Sequence, residues 1–172
     1  MFNENSKERY KGREIPVWKL PKYDQSKQKA MEIIKAYDRI EEGDFWILMN
    51  TINGGETMMY SGLIISHNGC LKINDAQGNE KRFVPSCVSL DKDGYNGSLV
   101  YTYCNDEQGI YEVGEVSAAN CKNSYPYAMA YKRLFDRVVL KLCGLAYDGV
   151  YSDSEADEFK QRYDDIEKPA EI

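Results

Sequence analysis

Arg133, Arg137 and Lys141 stand four residues apart in the run Tyr125–Lys141, and Lys132 adjoins the first of them. On a helix this interval repeats a positive charge along one stripe at about 6 Å. Successive phosphates of a single nucleic-acid strand have a similar spacing, so the stripe can track a phosphodiester backbone. The alternative is a solvated edge, with Asp136 pairing locally with Lys132 for roughly a few tenths of a kcal/mol. Aromatic residues crowd the same half of the chain: Tyr95, Tyr101, Tyr103, Tyr111, Tyr125, Tyr127, Tyr131, Tyr147 and Tyr151. A base stacked on such a ring gains ~1–3 kcal/mol, although tyrosine is equally at home on half-buried strands. Tyr125, at the mouth of the helix, is the one that strand burial explains least.

Other chemistry is sparse. The single histidine, His67, falls in His67-Asn68-Gly69, which reads as a tight turn. Nucleophile-elbow, zinc-protease and phosphate-loop motifs do not occur. Carboxylates do not cluster on a helix face outside the C-terminal tail, and no Cys-x-x-Cys pair suggests zinc. Four of the five cysteines recur every seventeen residues (Cys70, Cys87, Cys104, Cys121), but their neighbours do not repeat, so the spacing is coincidental. The sequence predicts a protein that is not an enzyme and uses no metal or cofactor.

The elements that must position the stripe follow from periodicity. Ser26 to about Glu42 carries Ala30, Ile33, Ile34, Tyr37 and Ile40 at helical spacing and stops at Gly43. Phe45–Ile52, Asn53-Gly54-Gly55 and Thr57–Ser66 read as strand, turn and strand. His67–Gly69 is then a turn, Cys70–Ile73 a short strand and Asn74–Asn79 a loop. Phe83–Leu90 is weakly extended and interrupted by Pro85. Ser98–Cys104 and Ile110–Val116 are strands. The long helix follows, with Ser124 as N-cap, Pro126 in its first turn and Gly144 as its stop. Tyr127, Tyr131, Leu134, Phe135, Val138, Val139 and Leu142 fall on its apolar face. The fold class is α+β: an N-terminal helix, an antiparallel β-meander and a long amphipathic helix packed on the sheet.

Composition bounds the organisation. The chain has 172 residues and a net charge of −6. Residues 1–22 form a basic arm, with Lys7, Arg9, Lys11, Arg13, Lys19 and Lys22 against Glu4, Glu8 and Glu14. Residues 23–151 form one core domain. Residues 152–172 form an acidic tail, with eight carboxylates against Lys160, Arg162 and Lys168. Ser152 and Glu155 have the spacing of a capping box for a short acidic helix. Most of the acidity thus lies after the stripe, and the body is nearly neutral. Such a tail can shield the stripe, face a basic partner, or simply aid solubility. No apolar signal segment or membrane-length run occurs, so no membrane partner is expected, and a reduced cytoplasmic setting is.

The order helix, β-meander, long helix resembles the core of phage single-strand annealing proteins of the Sak, Erf and RecT kind. The run Tyr127–Gly144, with Lys132-Arg133 and Arg137 before Leu140-Lys141-Leu142-Cys143-Gly144-Leu145, is similar to their groove-lining helix and the turn after it. The resemblance spans about Ser26 to Tyr151. It implies rings or filaments of identical subunits that bind single-stranded DNA and anneal it without a nucleotide cofactor. It implicates Lys132, Arg133, Arg137 and Lys141 in holding the backbone, and after them Lys72, Lys81 and Arg82. RNA in place of DNA stays open. The acidic balance and the scarcity of basic residues in the meander depart from that family's groove. A second resemblance is to small acidic phage anti-CRISPR proteins that inhibit type II CRISPR effector nucleases. It implies contact through Asp153, Glu155, Asp157 and Glu158. Either resemblance places the protein in a bacterial host cytoplasm.

Overall fold

The computed structural model describes residues 7–10, 13–16, 23–52, 57–91, 98–121 and 124–155. Asp157, Glu158 and the rest of the tail lie outside the described residues, as do the Asn53–Gly55 turn and most of the arm. Within the arm, β1 (Lys7–Tyr10) and β2 (Arg13–Pro16) pair antiparallel. The described chain then runs α1 (Tyr23–Ala36), β3 (Phe45–Ile52), β4 (Thr57–Ile65), α2 (His67–Ala76), β5 (Val88–Asp91), β6 (Leu99–Asn105), β7 (Ile110–Val116), α3 (Pro126–Leu142) and β8 (Val150–Ser152). The fold is α+β. Besides the β1–β2 hairpin, the strands form two sheets ordered β3-β4-β8 and β5-β6-β7. All pairings are antiparallel except β4 with β8, which is parallel. No helix among the described residues is long and apolar enough to cross a membrane.

Three expectations are corrected. The meander is interrupted: residues 67–76 are helix, not turn, strand and loop. Ser66 is the N-cap, and its hydroxyl accepts from the Gly69 amide at 2.9 Å, which satisfies one orphan donor of the first turn. Cys70 and Ile73, three residues apart, are then buried on one side. The first helix ends at Ala36 rather than near Glu42. A turn in which the Ile40 amide donates to the Tyr37 carbonyl buries Ile40 without extending the helix. The N-cap of α3 is Tyr125, not Ser124, and its side chain makes no cap bond. Pro126 at N1 disfavours helical geometry in the residue before it, which fixes the boundary there. Gly144 ends the helix as expected, at φ +83°.

The long helix α3 lies across β7 and β6. Leu134, Phe135, Val138 and Val139 join Ile33, Phe45, Leu63, Ile65, Ile73, Phe83, Tyr103 and Val150 in one core. Gly114 sets how closely helix and strand approach. A Cβ there would lie 2.4 Å from the Ala130 carbonyl oxygen and 2.5 Å from the Leu134 amide nitrogen. Only a residue without a side chain lets α3 sit at this depth on β7. After α3 the chain turns at Leu145–Asp148 and returns as β8 beside β4. Three further residues, Asp153–Glu155, form a 3-10 turn packed against α3. The packed structure therefore continues through Glu155, with Ser152 and Ser154 buried.

Candidate functional site

The cations of α3 do not form one exposed stripe. Arg133 is 1% exposed. It donates from Nη1 to the Glu115 carbonyl, from Nη2 to the Asn120 carbonyl and from Nε to the Ser154 carbonyl, each at 2.9 Å. Arg137 is half-buried. It donates from Nη1 to the Val113 carbonyl at 2.7 Å and to Glu115 at 2.9 Å. Its Nε and Nη2 grip the two oxygens of Glu155 at 2.5 and 2.9 Å, a side-on bidentate pair. Burial works to lower the pKa of Arg137, but Glu155 and Glu115 more than offset it, so the guanidinium is held charged. Lys141 pairs with Glu112.

This arrangement follows from matching repeats. Residues i and i+4 on a helix are about 6 Å apart along its axis. Carbonyls of residues i and i+2 on a strand are about 6.6–6.8 Å apart. Arg133 and Arg137 therefore meet the carbonyls of Glu115 and Val113 in register. These lie on the side of β7 away from β6, so the two arginines cap the sheet's outer edge, whose open backbone groups otherwise invite pairing with another chain. The spacing that suits phosphates here suits an edge strand.

Asp136 is also corrected. The sequence suggests a surface pair with Lys132, but Asp136 is fully buried. Its carboxylate is hydrogen-bonded to His67 Nδ1 at 2.6 Å and accepts from Ser154 Oγ at 2.9 Å and from the Ser152 hydroxyl. The two serine oxygens are 2.7 Å apart, and Ser152 Oγ also accepts from the Ser154 amide at 3.0 Å. His67 is thus the first residue of α2 and a tether to α3, not a turn former. A Ser-His-Asp relay needs the imidazole between carboxylate and hydroxyl. Here the carboxylate is central, between the imidazole and the two hydroxyls, so the order of that relay is not reproduced. The His67 amide donates to Asp153 at 3.0 Å. Burial raises the pKa of Asp153, while that amide opposes the rise. Among the residues suggested as a partner surface, Asp153 and Glu155 are therefore engaged inside the protein.

Lys72 is drawn to Asp44 at 2.8 Å and Glu41 at 3.4 Å, and the hydrogen bond to Asp44 is the main cause raising its pKa. Lys81 and Arg82 are exposed on the segment after α2. Arg82 donates to the Asp75 and Gln77 carbonyls at 3.0 and 3.1 Å. The next residue, Phe83, packs edge-on against Tyr131 and tilted against Phe135, so this segment lies along α3.

What α3 does display is at its N-terminal half. Tyr125 and Tyr127 are 59% and 47% exposed. Lys132 is exposed and makes no ion pair among the described residues, although Asp153 lies within its electrostatic reach. Tyr125, the N-cap, and Lys132, seven residues on, are both exposed, as is Ala128 between them in sequence. Of the predicted contacts, Tyr125, Lys132, Lys81 and Arg82 remain exposed. Arg133, Arg137, Lys141 and Lys72 are engaged within the protein. The Asp136 network was missed, though Asp136 stands out as an acid within the helix's apolar arc. Comparison of the chain with protein-family models, with curated proteins and with solved structures gives no match.

Proposed function

We propose that this protein binds single-stranded nucleic acid, DNA in the first instance, and promotes annealing of complementary strands without catalysing bond formation or cleavage. The observation that carries this reading is the exposure of Tyr125, the N-cap of α3, and of Lys132 seven residues on. An aromatic face beside a cation is what a sequence-tolerant single-strand binder needs: the ring stacks a base, and the cation neutralises a phosphate. Exposed Tyr127 adds a second ring near Tyr125. With few exposed cations, binding is weak and strongly salt-dependent.

Fluorescence anisotropy with labelled (dT)30 at about 50 and about 200 mM salt tests the reading. Binding that weakens steeply with salt, and falls in the double variant Tyr125→Ala/Lys132→Ala, supports it. Absence of binding at the lower salt removes it. Acceleration of complementary-strand pairing, followed by a quenched fluorophore pair, tests the annealing step separately.

A further inference from the structure

A cavity of about 160 Å³ lies between α3, β7 and β8, lined by Arg137, Lys141, Glu112, Glu155 and Tyr151 among others. We propose that it is a gated phosphate subsite, in which Glu155 occupies Arg137 until a strand phosphate displaces it, while Glu112 holds Lys141 beside it. This rests on the single-strand-binding reading above.

Three features carry the proposal. The Glu155 carboxylate takes Arg137 side-on through Nε and Nη2, a fork that phosphate oxygens fit equally well. Exchanging one monoanionic carboxylate for one monoanionic phosphodiester leaves the local charge unchanged and returns the carboxylate to water. Arg137 stays positioned when Glu155 leaves, because the Val113 carbonyl and Glu115 still hold its Nη1. The chain is also built to let Glu155 go. Ser152 and Ser154 anchor it to buried Asp136, and Glu155 is the first residue past those anchors. Releasing it therefore does not require unpacking β8.

The dimensions agree. The cavity has room for about five waters at their liquid volume, enough for a phosphate and too small for a whole nucleotide. Tyr151, 45% exposed at its rim, offers a ring for the adjoining base.

The experiment compares (dT)30 affinity and its salt slope for full-length wild type, Glu155→Gln, Glu112→Gln and the charge-matched control Asp75→Asn, whose carboxylate is exposed on α2. The gate predicts that Glu155→Gln binds about tenfold tighter, with a log–log salt slope steeper by about 0.7 for the one phosphate gained. Glu112→Gln shifts the same way, and Asp75→Asn leaves both quantities unchanged. Circular dichroism confirms that each variant is folded; should Glu155→Gln unfold, Glu112→Gln decides on the same criterion. If wild type binds and the cavity variants match it, or Asp75→Asn gains as much, the gate is wrong and the single-strand reading stands. If neither wild type nor the cavity variants bind at low salt, both fall.

Discussion

The two halves of α3 carry similar residues and use them in opposite ways. From Arg133 onward, the helix lies against β7 and the returning β8. Its arginines are fixed by backbone carbonyls and carboxylates, and its aspartate is buried under two serines and a histidine. Before Arg133, Ala130 and Tyr131 still pack on Gly114, Phe83 and Tyr101, while Tyr125, Tyr127 and Lys132 face solvent. Lys132 and Arg133 are adjacent in sequence and differ by about 100° around the axis. That turn separates a displayed charge from one sealed in the core. Charge at helical spacing shows that a helix has a basic side; only the neighbouring elements decide whether that side faces solvent or another part of the chain.

The sharpest way to break the contrast is Arg133→Ala. It leaves three carbonyls, those of Glu115, Asn120 and Ser154, without their donors and opens a void beneath α3. Losing a hydrogen bond from a charged donor to a buried carbonyl costs about 1.5–3 kcal/mol. Urea denaturation is expected to show that loss, with Lys132→Ala within about 0.5 kcal/mol of wild type. Equal, small effects at the two positions would erase the distinction. Gly114→Ala comes next. The new methyl meets backbone atoms of α3, which cannot rotate away, so at least about 1–3 kcal/mol of overpacking is expected by the same measurement. A neutral result would mean that α3 rides higher on β7 than the Gly114 contacts require.

In the displayed half the expected effect moves from stability to binding. Tyr125→Ala should leave the unfolding midpoint nearly unchanged while weakening (dT)30 binding by about 1–3 kcal/mol, the contribution of one stacked base. Loss of stability without loss of binding would assign Tyr125 to capping α3 instead. Lys132→Ala should flatten the salt slope by about 0.7, since one phosphate contact is removed.

What the sequence made legible depends on range. The strands at Phe45–Ile52, Thr57–Ile65 and Ile110–Val116, and the seventeen residues of α3, are visible because alternation, turn residues and helical period are local signals. The helix α2 is not. It has ten residues, its first three are His-Asn-Gly, and Gly69 stands where a capping box would place Glu or Gln, so its start resembles a turn. The Asp136 network joins residues 67, 136, 152 and 154, separations that no local pattern spans. The i, i+4 basic repeat is legible as a repeat, but it fits two acceptors of similar pitch. Phosphates and the carbonyls of an edge strand differ by less than an ångström or so in spacing, and only the presence of β7 distinguishes them.

Lys72 gives the smallest effect and extends the contrast to pH. It is engaged by Asp44, and its pKa is raised above the ordinary 10.5 chiefly by that hydrogen bond. The folded state therefore keeps this proton to higher pH than the unfolded chain does. Between the ordinary lysine value and the raised one, the unfolded state binds fewer protons, so stability falls as pH rises. The contribution is complete below about 10.5 and disappears above the raised value. In Lys72→Met the decline in unfolding free energy above about pH 10 should be shallower than in wild type. Parallel slopes in wild type and Lys72→Met would mean that the Asp44 pair adds nothing in solution, and that Lys72 belongs with the displayed cations after all.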